Sequence, residues 1–185
     1  MRKILLIALL SSFCFMYAQA QESFPPLDKS PADIAYFPAN ASFEKDLSKS
    51  PIIKVVYSRP HKNGREIFGV LEQYGKVWRA GANESTEIKF FKDVKLGDKK
   101  IEAGTYSLFA IPQKDNWTII INKQTDKWGA YTYDEAKDVA RVTVPVKKSD
   151  KVIEDFSIAF KDAPNGASML MGWDQTIVEV PFTIL

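Results

Sequence analysis

Residues 78–86, with the sequence WRAGANEST, bring four chemically different side chains into one glycine-containing segment. They are the Trp78 indole, the Arg79 guanidinium, the Asn83 amide and the Glu84 carboxylate. A guanidinium offers a planar fork to a carboxylate, a phosphate or a sugar, and an indole offers an apolar stacking face. These residues are therefore candidates for binding a polar ligand.

Upstream residues extend this candidate site. Arg59 and Arg65 would add two guanidinium forks, and Tyr57 would add a second aromatic face. The alternative is that the segment is a well-satisfied bend. In that case Gly81 supplies a positive φ, and the arginines pair with loop carbonyls and with nearby glutamates, namely Glu66, Glu84 or Glu87. Both interpretations stay open at the level of the sequence.

A second polar segment covers residues 128–141 and combines aromatic and charged side chains. Its candidate residues are Trp128, Tyr133, Asp138 and Arg141. An aromatic-rich loop of this kind can form a platform for a sugar. It can equally consist of aromatic residues that close one end of a β-sandwich.

Composition excludes several kinds of chemistry. His61 is the only histidine, which rules out multi-histidine metal clusters, and no G-x-S-x-G motif is present. We predict no metal site and no cofactor, and the catalytic residues, if any, are unknown. Glu84 with Asp134 or Asp138 could act as the acid and base of a hydrolase, provided that two of these carboxylates lie within about 10 Å of each other.

The elements that would position these residues are strands. Runs rich in β-branched and aromatic residues alternate with turn residues such as Gly97-Asp98 and Asp174-Gln175. The runs are 52–58, 86–91, 105–111, 117–122, 141–146, 153–160, 167–173 and 176–184. This pattern predicts an all-β fold, an antiparallel β-sandwich or jelly roll of eight to ten strands, with one or two short helical turns at 67–73 and 133–139.

The chain divides into three regions. Residues 1–20 read as a secretory signal peptide, because Arg2 and Lys3 precede an apolar run and residues 18–20 form the cleavage site Ala-Gln-Ala. Residues 21–50 are proline-rich and predict an extended arm or linker, and 51–185 form a single domain. Without the first 20 residues the chain has 23 basic and 23 acidic residues and no cysteine. The neutral balance disfavours nucleic-acid binding, and we expect no stable membrane insertion after cleavage.

Several motifs recur in an order that resembles the bacterial domain of unknown function 2911, from about Ser50 to Phe182. They are Tyr57-Ser58-Arg59-Pro60, Gly64-Arg65-x-Ile67-Phe68-Gly69, Trp78-Arg79-x-Gly81-Ala82-Asn83-Glu84-x-Thr86, Ala103 to Leu108, Trp117, Asn122, Trp128-Gly129, Tyr133-Asp134 and Lys137-Asp138-Val139. The resemblance implies an exported protein of a kind common in Bacteroidetes. It implies no established activity or catalytic residue.

Three functions are compatible with these observations. We favour a non-catalytic periplasmic or secreted module that binds a small polar molecule or a glycan. The alternatives are the carboxylate-dependent hydrolase and a structural or interaction protein of the cell envelope, which would bind an envelope protein. We therefore assign no enzymatic activity to the sequence.

The signal-peptide prediction is tested by expressing the complete chain in a bacterium with a secretory pathway. Because the cleavage site follows Ala20, we expect an exported protein whose first residue is Gln21. Intact-mass measurement and N-terminal sequencing check this result. An Ala18→Leu variant, which lacks the small residue required for cleavage, is expected to accumulate uncut.

Overall fold

The computed structural model describes residues 24–41 and 50–185, so the predicted signal peptide lies outside the described residues. Within this part of the chain there is no α-helix, and no helix that is long and apolar enough to cross a membrane. A 3-10 helix spans Glu135–Lys137. The nine strands are β1 (Ala32–Phe37), β2 (Ile53–Ser58), β3 (Thr86–Phe90), β4 (Val94–Leu96), β5 (Lys99–Ile101), β6 (Gly104–Pro112), β7 (Asn116–Asn122), β8 (Asp138–Ala163) and β9 (Gly166–Ile184).

The strands form one antiparallel sheet in the order β1-β2-β3-β6-β7-β8-β9-β4-β5. The prediction of an all-β antiparallel fold is therefore confirmed, whereas its division into a sandwich or jelly roll stays a prediction. β2 and β3 show the expected alternation, with every second side chain buried. The proline-rich arm contains β1, which pairs with β2 along its whole length.

β7 departs from the alternation predicted for it. Ile119, Ile120 and Ile121 are all fully buried, and so is Asn122. Both faces of the sheet are covered here, because the loop after β7 packs on the face opposite the main core. Tyr133 of that loop meets Phe109 edge to face, with ring centroids 5.2 Å apart.

β9 bends so strongly that its start lies against its end. A 19-residue straight strand would be about 60 Å long, yet an added Cβ on Gly166 would lie 2.0 Å from the carbonyl oxygen of Phe182. Asp174, whose φ is +55°, lies inside β9, which pairs with β8 on both sides of it. The turn predicted at Asp174-Gln175 is therefore wrong, and the runs predicted separately at 167–173 and 176–184 form one bent strand. The runs predicted separately at 141–146 and 153–160 belong to β8, and register shifts lie between them.

The core is built around aromatic rings. Trp78 stacks on Trp173 at 6.0 Å and meets Trp117 and Phe156 edge to face at 5.7 and 5.0 Å. Phe68, from the connection between β2 and β3, packs against the three tryptophans. This connection therefore contributes to the core instead of lying over it.

The helix predicted at 67–73 is wrong. These residues form a tight turn in which the Gly69 amide donates to the Glu72 carbonyl and the Glu72 amide donates to the Ile67 carbonyl. Gly69 has a φ of +93°, which a right-handed helix does not allow. The second predicted helical turn, at 133–139, is confirmed as the 3-10 helix, which Asp134 caps by accepting from the Ala136 amide.

Gly166→Ala tests whether the start of β9 lies against its end. The new methyl group would clash with the Phe182 carbonyl, which is main chain and cannot move aside as a side chain would. We expect a loss of about 3 kcal/mol in the free energy of unfolding, measured by urea denaturation. Gly104→Ala is the matched control, because its nearest contact is an ordinary 3.4 Å to the Tyr106 ring. Equal stability of the two variants would contradict this bend of β9.

Candidate functional site

The segment 78–86 is folded by hydrogen bonds of its own. The Trp78 indole N–H donates to the Gly81 carbonyl at 3.1 Å, and the Thr86 hydroxyl donates to the Ala80 carbonyl at 2.7 Å. A Cβ at Gly81 would lie 2.9 Å from the Ser58 carbonyl, so only glycine allows this close approach to β2. Trp78 is 3% exposed and belongs to the core, where no ligand reaches it.

Arg59 and Tyr57 connect β2 with β8. The Arg59 guanidinium donates to the Phe156 carbonyl at 3.2 Å and to the Ser157 hydroxyl at 2.8 Å, and it forms a 2.8 Å ion pair with Asp33 of β1. The buried Tyr57 hydroxyl accepts from the Ile158 amide at 2.9 Å. Both side chains are thus occupied by partners within the fold.

Arg65 is also occupied by its own loop. Its guanidinium donates to the carbonyls of Lys62 and His61. His61 in turn contacts the Asp155 carboxylate of β8 through its Nδ1. This loop is therefore pinned to β8 by local main-chain and side-chain contacts.

Arg79 is half-buried, and its Nε atom is buried without a hydrogen-bond partner among the residues that the structure describes. The nearby carboxyl group of Glu72 is more than half-buried as well. Burial raises the pKa of Glu72 to about 7, and the positive charges of Arg79 and Arg65 offset part of that rise. Glu72 is not predicted from the sequence, since nothing in its local pattern shows that tertiary packing will cover it.

The second polar segment folds into a closed network around Asp138. One carboxylate oxygen accepts from the Tyr133 hydroxyl at 2.7 Å and from Arg141 Nε at 2.5 Å, and the other accepts from the Asn122 amide at 2.7 Å. Burial, and then the adjacent Asp138, raise the pKa of Tyr133 well above its ordinary value. The Asp138 side chain is only 10% exposed. This network holds the loop over the sheet.

Asn83 and Glu84 lie on the surface, where they meet the loop that carries Trp128. The Asn83 carbonyl accepts from the Gly129 amide at 2.9 Å, and Glu84 and Trp128 face each other in an antiparallel bridge. The Asn83 side chain donates to Asp28 at 3.0 Å. Trp128 is 64% exposed, which is unusual for an indole on a hydrogen-bonded loop.

Beside this bridge lies a cleft of about 140 Å³, which we call the Glu84 cleft. Its lining residues are Ala32, Val56, Tyr57, Ser58, Glu84, Ser85 and Glu87. Within the described part of the chain, neither glutamate side chain has a hydrogen-bond or ion-pair partner. The Ser85 hydroxyl shares a 3.1 Å hydrogen bond with Ser107.

The structure thus separates the predicted site residues into groups. It brings Asn83, Glu84 and Trp128 together at the surface, and it brings Tyr133, Asp138 and Arg141 together in a closed network. Tyr57 is buried and lines the Glu84 cleft, with its hydroxyl bonded to Ile158. The remaining residues lie in the core or in contacts elsewhere, and they are Arg59, Arg65, Trp78 and Arg79. In residues 24–41 and 50–185, no group of three or more His, Cys, Asp or Glu side chains could hold a metal ion.

Glu72→Gln tests the buried carboxyl group. Between pH 4.5 and about 7 the folded chain holds a proton that the unfolded chain has released, so the free energy of unfolding falls as the pH rises through this window. The neutral amide removes this fall. We expect the free energy of unfolding of the variant to exceed that of the parent by about 3 kcal/mol at pH 8 and to match it near pH 4.5, as measured by urea denaturation. Glu66→Gln, an exposed position in the same connection, is the control.

Comparison with known proteins identifies a family and nothing further. The chain matches no curated protein and no solved structure. The family profile described as Protein of unknown function (DUF2911) matches residues 39–182. The match covers β2 to β9 and includes both polar segments, whereas β1 lies before it. The chain therefore belongs to the DUF2911 family, as its ordered motifs predicted.

Proposed function

We propose that the protein is an exported, non-catalytic module that binds one sugar unit, or a polyhydroxyl molecule of similar size, at the Glu84 cleft. The observation that carries this proposal is the Glu84–Trp128 bridge. Directly opposed residues of an antiparallel pair have their Cβ atoms about 5 Å apart on the same face. An unpaired carboxylate therefore stands beside a largely exposed indole.

This pair suits a sugar for two separate reasons. The C–H face of a sugar ring is apolar and stacks on an aromatic face. This stacking stabilises the complex because it removes exposed indole surface from water. Its hydroxyl groups are donors, and a carboxylate accepts them in charge-assisted hydrogen bonds. Trp128 supplies the first interaction and Glu84 supplies the second.

The charges of the cleft favour the same class of ligand. Its lining includes the carboxylates of Glu84 and Glu87 and the hydroxyl of Ser58, and it contains no lysine or arginine. The arginines that would attract a phosphate or a carboxylate are held elsewhere, Arg59 by Asp33 and Arg65 by loop carbonyls. A neutral ligand rich in hydroxyl donors is therefore favoured over an anion.

The hydrolase alternative gains no support from the acidic residues. Asp138 accepts hydrogen bonds on both carboxylate oxygens, and Asp134 caps the 3-10 helix. A general acid or base needs an oxygen within reach of the substrate. We therefore propose binding without catalysis.

Trp128→Ala and Glu84→Gln test the proposed site. The protein is first screened by thermal shift against monosaccharides and short oligosaccharides, since a ligand that binds the folded state raises its melting temperature. For the best ligand, calorimetry is expected to show at least about tenfold weaker binding for each variant, equal to about 1.4 kcal/mol. The Trp128 variant loses the stacking face, and the Glu84 variant loses the charged acceptor.

Phe91→Ala is the control, because Phe91 is a partly exposed aromatic residue just beyond the far end of β3. It should bind as the parent does. No sugar-dependent shift in the screen, or a loss of affinity shared equally by Phe91→Ala, would argue against the proposed function. Unchanged unfolding transitions in the absence of sugar establish that the variants are folded.

A further inference from the structure

We propose that β1 is an exchangeable strand, which docks on the β2 edge of a second copy of the chain as well as on its own. β1 is the terminal strand of the sheet and, among the described strands, pairs only with β2, over six residues. Of its six side chains only Phe37 is buried. The strand is therefore held by a ladder and a few anchors, and not by a core of its own.

The receiving edge is formed without β1. Arg59 lies at the end of β2 and is positioned by β8, where it donates to the Phe156 carbonyl and the Ser157 hydroxyl. Its remaining guanidinium nitrogen binds Asp33 at 2.8 Å, and its amide donates to the Pro31 carbonyl at 3.0 Å. Arg59 thus offers an ionic anchor and a main-chain donor to an incoming strand.

A second anchor lies four residues further along β1. The Phe37 ring packs against Phe160 of β8, with centroids 6.1 Å apart, and the Phe37 carbonyl accepts from the Ile52 amide at 2.7 Å. The edge therefore selects a strand that has an acidic residue followed, four positions later, by an aromatic one. Residues 33–37 of the chain itself have this spacing.

The position of β1 in the chain indicates that the strand docking on the β2 edge is β1 of a second copy. β1 lies before the family match, which begins at residue 39, so β2 is the edge that the matched region presents. An unpaired edge is a template for another strand. A β1 strand from a second copy makes the same contacts as the chain's own, because both anchors belong to the receiving body.

The reach of the connecting segment and the concentration of the protein determine whether β1 docks on its own β2 or on that of a second copy. Residues 38–52 join β1 to β2, and 15 residues span at most about 50 Å, which is enough to reach a neighbouring body. The chain's own strand is favoured by an effective concentration in the millimolar range. Weakening the intramolecular anchor should therefore reveal the exchange.

A charge-reversal pair provides the test on residues 21–185, the predicted exported form. Asp33→Arg and Arg59→Asp each place like charges at positions 33 and 59. Each variant alone should therefore release its β1, and light scattering should show a monomer. Mixed in equal amounts, they restore opposite charges only between copies, and we expect a dimer. The double variant Asp33→Arg/Arg59→Asp restores the pair within one chain and should be monomeric. A mixture that stays monomeric would overturn the proposal.

A cysteine pair keeps the test decisive if a charge variant fails to fold. Ile34 and Val56 are register partners whose side chains are partly exposed, and residues 21–185 contain no cysteine. After refolding at about 1 mM, Ile34→Cys/Val56→Cys should give a disulfide-linked dimer, and at about 10 μM a linked monomer. Thr118→Cys/Thr143→Cys, between β7 and β8, is the control and should link within one chain at both concentrations. If the Ile34/Val56 cysteine pair gives only linked monomer at both concentrations, the proposal is overturned. It is also overturned if the control pair gives as much linked dimer.

Discussion

The burial of Trp78 is the constraint on which the rest of the structure depends. Burial of an indole stabilises the fold because it removes apolar surface from water, but the buried N–H then needs a hydrogen-bond acceptor. The fold meets both needs, since the ring stacks on Trp173 while the N–H donates to the Gly81 carbonyl three residues away. The connection between β2 and β3 is thereby drawn into the core, and the chain must turn sharply as soon as it leaves Trp78.

That turn determines which polar groups reach the surface. Gly81 approaches β2 so closely that no side chain fits, and Asn83 adopts a left-handed φ of +59°. Beyond Asn83 the chain pairs with the loop after β7, so that Glu84 opposes Trp128. The two segments singled out in the sequence are thus joined at one bridge, although 43 residues separate them along the chain.

Polar side chains near this bridge divide into those that hold the fold and those that stay free. Arg59, Tyr57 and Asp138 have their polar atoms occupied by main-chain or side-chain partners. This is expected where polar groups are shielded from water, because a lost partner costs about 1–3 kcal/mol. Glu84 and Glu87 line the cleft without partners in the described ranges 24–41 and 50–185, and this difference is what makes the cleft the best candidate for a ligand.

The repeated β-branched and aromatic runs determined the all-β class, and Gly97-Asp98 correctly marked the turn between β4 and β5. The motif order determined the family. Local patterns failed where long-range packing decides. β4 and β5 are too short for a periodic signal, and the turn at 67–73 contains Gly69 with a positive φ. Ile120 is buried although the alternation places it on the outer face, where the loop after β7 packs.

For the candidate site, the sequence by itself determined that the two polar segments carry aromatic and charged groups of the kind that bind polar ligands. It also removed multi-histidine chemistry, because His61 is the only histidine in the sequence. Only the tertiary structure decided which of the eleven predicted residues are free. An arginine in a turn has the same sequence pattern whether it meets Asp33 of a distant strand or solvent, since its partner is chosen by strand pairing across the sheet.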